Sequence, residues 1–98
     1  MSLNIANIAI AMLTEKTTFT YEVISHKVNL SNKTIRNNMP EIILLFNNFN
    51  ITIQKSPGIG IRVLGSKDNI LKCYKHCENL IHKSTQISSE IRQNIISF

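Results

Sequence analysis

The stretch Ile51–Gly65, ITIQKSPGIGIRVLG, decides how this chain folds. Ile51 and Ile53, then Ile61 and Val63, alternate with Thr52, Gln54, Arg62 and Leu64, the period-two pattern of two half-buried strands. Pro57-Gly58 between them suits the central pair of a type II turn, where Gly supplies the positive φ. A lone two-stranded hairpin is marginal in water, so it must lean on the preceding helices.

Those helices are read from their own signals. Asn4 to Thr14 sets Ile5, Ile8, Ala9, Met12 and Leu13 at helical spacing. Thr17-Thr18-Phe19-Thr20 breaks that pattern, and Thr20 is a good N-cap for a helix over Tyr21–Val28. Asn29-Leu30 makes a short turn, after which Ser31 caps a third helix. Two short helices joined by about three residues have the spacing of a helix-turn-helix. Pro40 removes a hydrogen bond and clashes with the preceding turn, at a cost of roughly 3 kcal/mol. A kink or a restart is therefore expected there, with the continuation reaching Phe49. Its IILLF run, Ile42–Phe46, is apolar all round and should be buried on most sides or cover a partner.

Beyond the hairpin, Ser66 caps a helix from Lys67 to about His82, with Asp68 in its first turn. Residues 83–89, KSTQISS, read as a polar linker, and 90–98 as the start of a following helix or second domain, truncated at Phe98. Residues 4–82 are thus expected to form one domain, mainly α with a small β-hairpin wing: a winged helix-turn-helix.

A length of 98 residues suits one small domain, and 43% apolar content suits a globular one. The formal charge of +5 points towards polyanions. Its position is more telling. From Val23 to Gly65 the cations are Lys27, Lys33, Arg36, Lys55 and Arg62 against Glu41 alone, so this segment carries four of the five net charges. No stretch is apolar for long enough to span a bilayer and no signal-peptide pattern is present, so a cytoplasmic location away from membranes is expected. Cys73 and Cys77 share one helical pattern and form no disulfide framework; reduced thiols are the expectation.

The third helix opens with LSNKTIRNN, Leu30–Asn38, in an otherwise apolar chain. At about 100° per residue, Ile35 and Met39 fall on one side, with Leu30 tucked below. Lys33, Arg36 and Asn37 fan out on the other, with Asn32 flanking. Arg can fork onto guanine O6/N7, Asn can pair with adenine N6/N7, and Lys serves guanine or phosphate. The Ser31 and Thr34 hydroxyls and the helix-start N–H groups suit phosphate oxygens. Such a helix is equipped to enter a major groove. Lys55 and Arg62 flank the hairpin tip and are expected to meet phosphates or a narrow minor groove. With Lys27, four or five phosphate contacts imply a log–log salt slope of roughly −4.

Other chemistries fare worse. Cys73, His76, Cys77 and His82 are metal-competent, yet Cys73 and Cys77 join Ile70, Tyr74, Leu80 and Ile81 on an apolar stripe while His82 points nearly opposite. No four-ligand shell closes, and no metal or cofactor is expected. His26 has no nucleophile or orienting partner, so no catalytic set is visible and an enzyme is not expected. Gly58-Ile59-Gly60 lacks the downstream Lys-Ser/Thr of a phosphate loop and leads into a strand.

Two motifs at this distance carry a family resemblance over about Asn4 to Leu80. Ser31-Asn32-Lys33-Thr34-Ile35-Arg36 follows the pattern hydroxyl, any, basic, Thr-Ile-Arg; Pro57, Gly58, Gly60, Ile61, Val63 and Gly65 follow that of the wing. In both, the chain resembles the N-terminal winged helix-turn-helix of PRD-containing bacterial regulators controlled by the sugar phosphotransferase system (BglG-type), and of streptococcal Mga-type regulators. Biotin-protein-ligase repressors have a similar head. The resemblance implies sequence-specific double-stranded DNA binding as the head of a regulator of carbohydrate-uptake operons, activator or antiterminator in type. It further implies a homodimer or a tandem second DNA-binding domain, and phosphotransferase-system proteins acting through C-terminal domains beyond Phe98. SSEIRQNIISF is similar to the start of such a second domain. The chain departs from the family at Asn38, usually Asp, and at Pro40, usually a polar helix former. Two rivals stand beside this reading: a winged helix for protein–protein contact through IILLF and the Cys/Tyr stripe, and an RNA-binding antiterminator, for which exposed stacking aromatics would be expected.

Overall fold

A computed structural model describes residues 2–97, with side chains described through Lys83. The first helix, α1 (Leu3–Leu13), starts where Ser2 Oγ accepts the Ile5 N–H at 3.2 Å. Its Ile5, Ile8, Ala9 and Met12 are fully buried. Thr20 caps α2 (Tyr21–Val28) by accepting the Val23 N–H at 3.2 Å. Asn29, at φ 57°, ends α2 in the left-handed conformation that Asn tolerates better than most residues. Ser31 then caps α3 (Asn32–Asn48), so two residues separate the Asn29 cap from α3's first turn. The helix-turn-helix expected from the spacing is present.

Of the kink or restart expected at Pro40, there is no restart: one helix runs from Asn32 to Asn48 with Pro40 inside it. The lost N–H deprives only the Arg36 carbonyl of its helical partner. Ile35 and Met39 before Pro40, and Ile42 and Phe46 after it, are all buried in one core, and that shared burial anchors the helix on both sides of the proline. IILLF divides accordingly. Ile42 and Phe46 go inside, Leu45 is half-buried, and Ile43 and Leu44 face solvent.

The Phe46 carbonyl accepts the Ile51 N–H at 2.9 Å, leading the chain into β1 (Thr52–Ser56). β1 pairs antiparallel with β2 (Gly60–Leu64), Gln54 opposite Arg62 and Lys55 opposite Ile61. The Ile59 N–H reaches the Ser56 carbonyl at 3.0 Å and Gly58 has φ 77°, as a type II turn on Pro57-Gly58 requires.

The hairpin leans on α3 and on a residue read from sequence as a helix break. Phe19, between α1 and α2, is buried and exchanges both backbone hydrogen bonds with Ile61, at 2.9 and 2.7 Å. This single bridge makes the wing three-stranded at one point. Gly60 allows the approach, since a Cβ there would lie 2.7 Å from the Phe19 carbonyl oxygen.

After Ser66, whose Oγ accepts the Asn69 N–H at 3.1 Å, α4 (Lys67–Ser97) returns along α1. Cys73 and Cys77 are fully buried against the core. The backbone helix continues through 83–89, where a linker was expected; no Gly or Pro follows Gly65 to stop it. Side chains from residue 84 onward lie outside the described residues; over 90–97, where a second-domain start was expected, the backbone continues α4. The architecture is mainly α with a two-stranded wing after the third helix, a winged helix-turn-helix.

Candidate nucleic-acid interface

Burial of Ile35 and Met39 sets the rotation of α3, and that rotation leaves Asn32, Lys33, Arg36 and Asn37 exposed. Exposure of the four follows from helical geometry once the apolar pair is inside. Ser31 Oγ accepts the Thr34 N–H at 3.1 Å and lies 2.9 Å from Thr34 Oγ1, so the two hydroxyls form one capping pair at the helix start. Ser31 is exposed and Thr34 half-buried. Asn38 turns its amide to the Thr34 carbonyl at 2.8 Å; it is a helix-internal donor and not part of the outward set.

Lys55 and Arg62 are both exposed, but on opposite faces of the wing. Residues directly opposite in an antiparallel pair share a face. Lys55 therefore sides with Ile61, Ile53 and Val63, and Arg62 with Gln54. On the Lys55 side stands Tyr21, the first residue of α2. The Lys55 ammonium lies 5.6 Å from its ring centroid, and the Arg36 guanidinium carbon 5.7 Å from the same centroid. Cations at this range are drawn to the ring's electron-rich face. Tyr21, Lys55 and the Pro57–Ile61 turn also line an open cleft of about 460 Å³.

Lys27 does not join this group. Its ammonium pairs with the Glu15 carboxylate at the corner between α1 and α2, where Lys27 also lines a recess with Asn7 and Ile10. Of the nine residues singled out from sequence, the structure thus gathers Ser31, Asn32, Lys33, Thr34, Arg36 and Asn37 on the start of α3. Lys55 lies beside them across one ring; Arg62 and Lys27 are turned elsewhere. The residue missed was Tyr21. Its aromatic side chain directly after a cap was the available signal, but its two cationic neighbours come from distant parts of the chain.

The outer face of α3 changes character past Pro40. Leu44 is 65% exposed, next to exposed Ile43, and edges a groove lined by Ile5, Leu45, Asn48 and His76. The cysteine stripe offers no such surface. Contact with Cys77 foremost, then burial, pushes the Cys73 thiol far above its usual range; the same contact draws Cys77 down against the opposing effect of burial. Among the described residues no group of three or more His, Cys, Asp or Glu could hold a metal ion, and no helix is long and apolar enough to cross a membrane. No family model, curated protein or solved structure matches the chain.

Proposed function

We propose that this domain binds double-stranded DNA, with the first turns of α3 in the major groove and the wing against the flanking backbone. The observation that carries the reading is the side-by-side exposure of Lys33, Arg36 and Asn37 on a helix whose opposite face is core, next to Lys55 of the wing. Arg36 and Asn37 carry the bidentate donor and donor–acceptor sets that read base edges, and Lys33 serves guanine or phosphate. Lys55, the Ser31 hydroxyl and the α3 N-terminus take phosphate oxygens. With the motif resemblance, the wider role is that of the head of a bacterial transcriptional regulator of carbohydrate uptake, cytoplasmic. It would act as a dimer or beside a second such domain, because specific sites usually need two heads.

Titration of the chain with duplexes enriched from a random-sequence pool tests this. Expected are recovery of a consensus and a log–log salt slope of about −3 to −4. Failure of every duplex to bind at low salt would remove the proposal.

A second reading draws on exposed Ile43 and Leu44, which suit a protein contact. Capture of a defined protein partner that Leu44→Asp abolishes, with no duplex affinity in the wild type, would favour it.

A further inference from the structure

We infer that Tyr21 is a positioning residue whose ring sets Arg36 of α3 and Lys55 of the wing as one prearranged pair of cations; the inference rests on the DNA-binding reading. Three elements meet here. α2 supplies the ring, α3 the guanidinium at 5.7 Å and β1 the ammonium at 5.6 Å from its centroid. Both cations are exposed, and neither has a carboxylate partner among the ion pairs of the described residues. Left to themselves, two long cationic side chains would sample many rotamers and repel one another. The ring holds each by its quadrupole instead.

That hold leaves binding capacity free. A guanidinium over a ring keeps its N–H donors available in its own plane, and an ammonium keeps those directed away from the ring. Ordering the two side chains before the duplex arrives removes an entropic cost that association otherwise carries. Tyr21 needs no DNA contact of its own for this. Because the ring is fixed to the helix preceding α3, it also sets the spacing between the groove-reading helix and the wing.

The test compares Tyr21→Phe, which keeps the ring, with Tyr21→Leu, which keeps apolar volume without it, in the 98-residue chain. Tyr21→Phe should bind a selected duplex within about twofold of wild type. Tyr21→Leu should bind about tenfold more weakly, equivalent to about 1.4 kcal/mol, with the salt slope unchanged because every charge remains. In a background carrying Arg36→Ala and Lys55→Ala, the further change Tyr21→Leu should have no effect. A merely structural role would weaken binding in both backgrounds.

Proton spectra of the DNA-free protein give an independent readout. Ring-current shifts on the Arg36 δ and Lys55 ε protons should be present in wild type and Tyr21→Phe and absent in Tyr21→Leu. Equal binding by all three proteins, an undiminished loss in the Arg36→Ala/Lys55→Ala background, or wild-type shifts at random-coil positions would each overturn the inference. If wild type shows the ring-current shifts but binds no duplex, the DNA-binding reading fails while the cation arrangement stands. Should Tyr21→Leu not fold, the wild-type and Tyr21→Phe spectra still decide the arrangement.

Discussion

Phe19 and Ile61 exchange both of their backbone hydrogen bonds, at 2.9 and 2.7 Å, and so pin the wing to the segment between the first two helices. The contact depends on Gly60, whose φ of 132° and missing Cβ let the Phe19 carbonyl come close. Gly60→Ala brings a methyl group against that carbonyl and forces an unsuitable φ, so it should destabilise the domain by more than about 1 kcal/mol. Gly58→Ala meets open space and strains only its own backbone at φ 77°, at about 1 kcal/mol. Urea denaturation of the two variants checks the order; a milder effect at Gly60 would contradict the close approach.

Much of this architecture is readable in the residues. Thr20, Ser31 and Ser66 announce helix starts through side chains that accept the third N–H onward, a purely local signal. Pro57-Gly58 dictates its own turn, and the apolar spacing of Ile35 and Met39 orients the polar side of α3. The misreadings share a cause, which is that distant residues decide them. The Phe19 strand is a single bridge, too short to have a period, although Thr17-Thr18-Phe19-Thr20 is rich in strand-forming types. Pro40 carries a local penalty that burial of Ile42 and Phe46 outweighs. The opposite orientation of Lys55 and Arg62 depends on pairing register, where a shift of one residue reverses every side chain. The Glu15 partner of Lys27 sits in the connection between α1 and α2, outside Lys27's own helix.

Two substitutions separate base reading from phosphate holding. Arg36→Ala should cost about 1–3 kcal/mol of affinity for a selected duplex and relax its sequence preference. Lys55→Ala should weaken selected and unselected duplexes alike and flatten the salt slope by about one. Competition titrations over a salt series distinguish the two patterns.

Lys27→Ala offers the contrasting case. Because its ammonium faces Glu15, the substitution should leave the salt slope within experimental error of wild type. Glu15 is the more buried partner of the pair, so loss of the pair should cost on the order of 1 kcal/mol and lower the thermal midpoint by roughly 4–8 °C.

Replacing Pro40 should strengthen the fold. An Ala there restores an N–H for the Arg36 carbonyl and removes the ring from the helix interior, while the unfolded chain gains freedom that partly offsets the benefit. A net gain of about 1–2 kcal/mol is expected. Heat and urea midpoints measure it; a loss of stability would mean that the Pro40 ring makes contacts its exposure does not suggest.

The thiols provide a probe of the core. Cys73 and Cys77 are fully buried, so neither should react with an aromatic disulfide reagent at neutral pH until the domain unfolds. The raised folded-state value at Cys73 has a defined sign in stability. Its contribution is complete below the ordinary thiol value of 9.0 and is lost as pH rises past it, when the unfolded chain releases the proton first. Cys73→Ala should lower stability at neutral pH through the lost packing, as measured by urea titration.

Only Gly65 and Ser66 stand between the last wing strand and α4, and a Cβ on Gly65 would come within 3.1 Å of the Ile51 side chain. There is little slack in that joint. A tilt of the hairpin has few torsions in which to dissipate before it reaches the first turn of α4, so the angle of the wing and the start of the long helix are coupled through two residues.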